Sequence, residues 1–480
     1  MQLSKLLPLA ATLINPSEVD ITHLTHSAWD AQRGSLFFCI EGTRTDGHNH
    51  AEVAIGAGAA ALVVSKKLNI AVPQILVSDT RAAMSEIAAR FYDNPSGKLK
   101  IAGITGTNGK TTTSYIVKSI LEAAGYKAAA IGTNGVLVGN AVRPSLHTTP
   151  DPIELQSTFN RLVQEGVTHV VMEASAHAIH QRKLIGVYAD VVAFSNLSQD
   201  HLDYFGTMER YGNVKASYFD KLYGKVAVVN IDDEWGRKIV ERANLPVTTY
   251  GYANPADVFA VGFEQSAKGL SYVINLNDQV APINFRLPGK FNMYNTLCAA
   301  SIAGALGIGL EHIAQGIAAL EKVDGRFDLI DGGNCLVVID YAHTADGLKN
   351  VLSCIEEFCV GRIITVFGAG GDRDRTKRKD MGYAVASYSD VAILTSDNPR
   401  FEDSGQIMDD VAKGFEGGLC SLERIENRKD AIIHAIRIAR GDDIVLVAGK
   451  GAEKYQEIKG KRYEFSDHSV VLEALGEEKT

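Results

Sequence analysis

The residues best suited to chemistry begin with the stretch "GITGTNGKTTTSYIVKSIL", 103–121, where glycines, one lysine and a run of three threonines crowd together. They stand where an apolar run, "KIAGIT", gives way to "KTTTSYIVKSILEAAG", apolar on one helical face and closed by Gly125. A strand, a glycine loop and a helix N-terminus in that order offer an anion unpaired backbone N–H groups and the positive end of a helix dipole. Phosphates are therefore the expected ligand of Gly106, Thr107, Asn108, Gly109, Lys110, Thr111 and Thr112. Lys110 would reach the far phosphate, and the Thr111 hydroxyl is placed for Mg²⁺. The strict G-x-x-x-x-G-K-[ST] spacing is not met, because Ile104 stands five residues before Gly109. ATP is the leading ligand, although the loop alone would serve any nucleotide-hydrolysing switch.

Phosphoryl transfer needs ligands for a metal that offsets charge on the transferred group. "HVVMEASAH" ends a strand at Glu173, a natural place for a metal carboxylate. "FSNLSQDHLDYFGTMERYGNVKASYFD" puts His201 after a further strand and Lys215 on a helix. Taken singly, a histidine or lysine more often has a surface or core role, so these residues gain meaning only from the loop beside them.

Positioning such a site calls for parallel α/β layers, and the chain alternates accordingly. Strand-like runs such as "AALVVS", "KIAGIT", "HVVMEAS", "DVVAFSN", "KVAVVN", "CLVVIDY", "RIITVFG", "DVAILTS" and "DIVLVAG" are separated by helix-like segments. A length of 480 residues exceeds one core. Breaks at 92–100 and 320–328 divide it into three α/β domains, 1–97, 98–325 and 326–480. Within the middle domain, 247–286 alternates apolar and polar residues, which predicts a small antiparallel patch.

Composition narrows the setting. A net charge of −9 argues against a sequence-independent hold on nucleic acid or on an acidic membrane. Six scattered cysteines, without a C-x-x-C pair, indicate neither a disulfide framework nor zinc, and a reduced cytoplasm is expected. The opening "MQLSKLLPLAATLI" is interrupted by Pro8 and followed by polar "NPSEVD", so it reads poorly as a signal peptide. No apolar run approaches the roughly 20 residues that cross a bilayer.

"GTNGKTT", "MEASAH", "NLSQDHLDYFGTMERY" and "YAHTADGL", in this order, resemble the Mur ligase family, and the likeness extends over nearly the whole chain. The resemblance implies an N-terminal UDP-binding domain, a central P-loop ATPase domain and a C-terminal Rossmann-like domain. It implies an ATP-dependent ligase joining an amino acid to a carboxylate through an acyl phosphate. Thr111 and Glu173 would hold one Mg²⁺; His201 and a carbamylated Lys215 would hold a second, since an ammonium cannot ligate a cation whereas its carbamate is a carboxylate. "GKFNMYN" offers Asn292 and Asn295 to adenine, the plainer reading being a helix start capped by Asn292. "DGRFD" and "IDYAHTADG" add Arg326, Asp340 and His343 where ATP is closed over.

In the third domain "VFGAGGDRDRTKR" and "SDNPRFED" each follow a strand, where open α/β sheets bind ligands. G-x-G-x-x-G is not satisfied, because Arg373 holds its last position. The resemblance points instead to a pocket for the incoming amino acid, made by Arg373, Asp397, Asn398, Pro399, Arg400, Gly449 and Glu453. "DNPR" is the family's form for meso-diaminopimelate. Arg400 would grip the distant carboxylate with two parallel hydrogen bonds and repel the terminal ammonium of lysine. Its bland alternative is a surface ion pair with Glu402 or Asp403.

The acceptor, UDP-N-acetylmuramoyl-L-Ala-D-Glu by resemblance, would meet Ser27, His147, Thr148, Thr149, Ser175, Gln181 and Lys183. Here the chain departs from the family pattern. His26 and Ala28 flank Ser27 where D-S-R is usual, His147 replaces asparagine, Lys183 an arginine and Ala176 a serine. Ala452 replaces a frequent histidine and Ser404 a frequent proline. Lysine as the added residue, a paralogue acting on another carboxylate, and a non-catalytic nucleotide-binding protein remain the alternatives. The expected working form is a monomer with small-molecule substrates and no nucleic-acid partner.

Overall fold

The computed structural model describes residues 1–42, 45–333 and 335–476. Each of the strand-like runs forms a strand, and these strands assemble into three main sheets, one per domain. The first sheet has five strands. His23–Thr25, Ser35–Phe38, Ala59–Val64 and Gln74–Leu76 run parallel, and Thr12–Ile14 pairs antiparallel with the last of these at the edge. Asp79 caps the helix Thr80–Phe91, accepting from the N–H groups of Arg81 and Ala82.

The central sheet has eleven strands, and its middle positions the chemistry. Lys100–Thr105 lies between His169–Glu173 and Ala189–Phe194, all parallel. The glycine loop, Glu173 and the segment carrying His201 therefore leave the same end of three neighbouring strands. These strands are almost wholly apolar because helices cover both faces. The helix Lys110–Ala123 buries Ile116, Val117, Ile120 and Leu121. Gly316 of the helix Leu310–Ala319 lets that helix approach closely, since a Cβ there would lie 2.3 Å from the Ile120 Cα.

The expectation for 247–286 needs one correction. Val247–Gly251 is a parallel member of the main sheet; only Val258–Ser266, Gly269–Leu276 and Gln279–Phe285 run antiparallel, and they extend that sheet at its edge. Turn-bounded alternation marks half-exposed strands and says nothing about the sheet they join. At the opposite edge the alanine-rich Ala128–Gly132 leads into a hairpin of Gly135–Val138 and Ala141–Arg143 that the sequence reading did not foresee.

The third sheet is parallel except for its edge strand Asp328–Asp331. Two of its flanking helices, Arg428–Ile438 and Asp467–Ala474, are tied by a fully buried pair. Arg428 Nε and Nη2 donate to the two Asp467 carboxylate oxygens at 2.8 and 2.7 Å. Among the described residues no helix is long and apolar enough to cross a membrane. The six cysteines are unbridged.

Candidate active site

The Gly106 carbonyl is the meeting point of the nucleotide loop. It accepts from Lys110 Nζ at 2.9 Å and from Lys215 Nζ at 2.7 Å, and Lys110 also donates to the Thr107 carbonyl at 2.8 Å. Glycine is required on both sides of the turn. Gly106 has φ +152° with Ser195 Oγ 1.9 Å from where a Cβ would sit; Gly109 has φ +85° with Asn295 Oδ1 at 2.2 Å. Asn108 donates to Asp346 Oδ2 at 2.9 Å, across to the third domain, and Thr112 is buried below the loop.

Glu173 is 1% exposed. Its Oε1 accepts from the Thr111 hydroxyl at 2.8 Å and the Thr133 N–H at 2.9 Å, its Oε2 from the Thr133 hydroxyl at 3.2 Å. Arg326 enters from the third domain, donating to Thr111 Oγ1 at 3.1 Å while stacked 4.3 Å over the Tyr341 ring. Thr111 and Glu173 thus supply adjacent oxygen donors of the kind Mg²⁺ prefers.

Lys215 is buried and, among the described residues, forms no ion pair; besides its bond to Gly106 it lies over the face of Tyr211, 4.6 Å from the ring centre. Burial, then the charge of Lys110, holds its pKa well below the usual lysine value. A neutral amine is the form that adds CO₂, so this environment suits a carbamate and the oxygen ligands it would bring. His201, with φ +57°, starts the helix Leu202–Phe205 and packs edge-on against His177 at 4.8 Å. Burial takes its pKa down to about 3 despite Asp200, leaving a neutral imidazole able to ligate.

Asn292 and Asn295 line the buried face of the helix Lys290–Ala305. Asn295 donates to Asn292 Oδ1 at 3.0 Å, and Asn292 to the Pro288 carbonyl at 2.7 Å. Asn292 is not the helix cap, as the plainer reading had it, because Gly289 takes that position. Asp340 is buried and accepts from the N–H groups of Phe327 and Ala342, at 2.8 and 2.7 Å. His343 Nε2 stands 3.6 Å from Asp200 Oδ2.

The third-domain residues converge separately. Asn398 donates to Glu453 Oε2 at 3.0 Å, and buried Lys450 joins both, at 3.1 Å to Asn398 and 2.9 Å to Glu453. Asp397 Oδ1 accepts the Asn398 N–H at 2.6 Å, while its Oδ2, beside Gly449, is buried with no hydrogen-bond partner. Arg400, at φ +52°, donates to the Gly371 carbonyl at 2.6 Å and lies 3.7 Å from Glu457. The bland pairing is absent: Glu402 goes to Arg375 and Arg378, and Asp403 caps the helix Ser404–Ala412. Pro399 packs its carbonyl where a Cβ on Gly371 would be, and Arg373 is exposed.

Models of the Mur ligase family catalytic domain, the Mur ligase middle domain and the Mur ligase glutamate ligase domain match residues 20–92, 104–303 and 325–451. A relative from Geobacillus thermodenitrificans, UDP-N-acetylmuramoyl-L-alanyl-D-glutamate--2,6-diaminopimelate ligase, is 42% identical, covering 96% of this chain and 94% of its own. The chain belongs to the Mur ligase family. A solved structure of the same description superposes with a TM-score of 0.69 at 33% identity, over 95% of each chain. MurF ligase from Thermotoga maritima, solved with ADP, shares the fold at 18% identity, with a TM-score of 0.65 over 95% of this chain and 97% of its own.

Against the Mur ligase pattern, three of the departures on the acceptor side, His26, His147 and Lys183, share a structural address. Lys183 Nζ lies 2.6 Å from Asp151 Oδ1; His26 Nε2 and His147 Nε2 lie 3.8 and 3.9 Å from Asp151 Oδ2. One carboxylate thus collects a histidine from the first domain and two basic residues from the middle one. Burial alone would raise the Asp151 pKa, but Lys183 and the two imidazoles lower it. Nearby, Thr148 meets the Thr133 hydroxyl at 3.2 Å, and Thr149 donates to the Glu173 carbonyl and Ser175 at 2.8 and 3.1 Å. Gln181 donates to the Tyr204 hydroxyl at 3.4 Å, and half-buried Ser27 bonds back to Thr25. Sequence reasoning missed Asp151, Asp200 and Lys377. Asp200 and Lys377 each lie inside a quoted motif, but 177 residues separate them.

Proposed function

We propose that this chain is an ADP-forming ligase that adds meso-diaminopimelate to UDP-N-acetylmuramoyl-L-Ala-D-Glu in peptidoglycan precursor synthesis, in the cytoplasm. The observation that carries it is the pocket around Asp397 and Arg400, set across a domain boundary from a complete phosphate loop. A buried Asp397 carboxylate oxygen without a hydrogen-bond partner among the described residues, together with the Arg400 guanidinium held by the Gly371 carbonyl, suits a ligand with an ammonium next to one carboxylate and a second carboxylate further along. L-lysine would place a second ammonium against Arg400.

In the first step an oxygen of the acceptor carboxylate attacks the γ-phosphorus and ADP leaves, giving an acyl phosphate. Lys110 exchanges its two carbonyl partners for phosphate oxygens and offsets their charge as the bond to ADP breaks. Thr111 and Glu173 would hold one Mg²⁺, and His201 with a carbamylated Lys215 a second; bound there, the ions would supply further charge neutralisation. Arg326, reaching Thr111 from the third domain, adds a cation only when the domains are together. The amine of diaminopimelate then attacks the acyl carbon, phosphate leaves, and the nitrogen loses a proton. Closure keeps water from the acyl phosphate.

Oxygen-18 in the attacking carboxylate tests this route. One label per turnover should appear in the released phosphate; phosphate free of label would exclude the acyl phosphate.

A further inference from the structure

We propose that Asp200 is the positioning residue of His201 and that Lys377 holds it there, so that docking of the third domain completes the metal-ligand set. The proposal rests on the reading of His201 as a metal ligand. Asp200 is 6% exposed and so is Lys377, which starts the third-domain helix Lys377–Tyr388. Their contact, Nζ to Oδ1 at 3.0 Å, is a buried ion pair across the domain boundary. The same carboxylate accepts the backbone N–H of His201 at 2.9 Å, and its Oδ2 lies 3.3 Å from His201 Nε2 and 3.6 Å from His343 Nε2.

A carboxylate near one ring nitrogen of a ligating histidine orients the ring and favours the other nitrogen, here Nδ1, as the ligand. Buried ion pairs contribute little net stability, because desolvation offsets their attraction, yet removing one partner strands a charge. Lys377 is the cation that offsets the buried Asp200 charge, with His343 Nε2 3.6 Å away as the other third-domain group facing it. Its neighbours cross the same boundary: Gln199 donates to Asp374 and Thr376 at 3.2 and 3.0 Å, and Asn108 to Asp346. The contact therefore reports the docked third domain to a side chain on the middle one.

The test is Mn²⁺ affinity, read by electron paramagnetic resonance, of the full chain loaded with a non-hydrolysable ATP analogue, without acceptor or amino acid. Asp200→Asn and Lys377→Met should each weaken Mn²⁺ binding about 10–100-fold. Lys377→Arg should recover part of it, and the double variant should be no weaker than the worse single one. Parent affinity in Lys377→Met would overturn the coupling. Should that variant fail to fold, the double variant, which strands no charge, decides: parent affinity there overturns the proposal equally. Parent affinity in His201→Ala would overturn the metal reading beneath it, a failure distinct from loss of the coupling alone.

Discussion

The nucleotide side and the acceptor side of this cleft manage charge differently. Around Gly106 the ionisable groups are buried or half-buried: Lys110 and Lys215 share one carbonyl, and Glu173 is saturated by hydroxyl and N–H donors. Around Asp151 two of the three partners are looser, His26 and His147 being about half exposed and nearly 4 Å away, while Lys183 lies at 2.6 Å. Desolvated charges with fixed geometry tolerate little change, whereas a solvated cluster can exchange residue types while keeping its balance. That is why this chain keeps the Mur ligase pattern at the phosphates and departs from it at the acceptor.

The sharpest way to break the contrast is Lys110→Ala. Its kcat should fall roughly 10²–10³-fold with little change in acceptor KM, measured by phosphate release; a loss of only a few-fold would place the charge stabilisation elsewhere. Lys215 tests the same side through carbamylation. Protein stripped of CO₂ should lose about 10²-fold in rate and regain it with bicarbonate. Lys215→Ala should show no such recovery.

Arg400→Ala should raise the KM for meso-diaminopimelate about 10–100-fold, the worth of one or two charge-assisted hydrogen bonds, leaving the KM for ATP unchanged. On the solvated side, His147→Asn should change acceptor KM less than about 10-fold. A larger loss would show the cluster to be as exacting as the phosphate loop.

Asp151→Asn gives the smallest effect and the clearest sign. The folded Asp151 pKa is depressed, so its contribution to stability is present above the unfolded carboxylate value and disappears as pH falls through the folded one. The variant should lose about 1 kcal/mol at pH 7 and match the parent in acid, as judged by urea unfolding. Equal losses at both pH values would mean packing, not charge.

Most of the candidate nucleotide site's geometry was legible because a strand, a glycine loop and a helix start are local: Ile101 to Ile120 carries it in one run. Glu173 and the segment leading to His201 follow from strand ends for the same reason. The pair of Asp200 and Lys377 was not legible, since 177 residues separate them and only docking of one domain on another joins them. Asp151 was overlooked beside Thr148 and Thr149 because its meaning lies in His26, in another domain. The strand Ala128–Gly132 escaped notice because alanine is a weak strand signal, and burial between neighbours decides its conformation.

The most direct measurement is phosphate release from ATP and Mg²⁺ in the presence of UDP-N-acetylmuramoyl-L-Ala-D-Glu, comparing meso-diaminopimelate with L-lysine. Release with diaminopimelate and none with lysine is the expected result. Release with lysine instead, or none with either while ATP still binds, would contradict it, the first at Arg400 and the second at the acceptor cluster around Asp151.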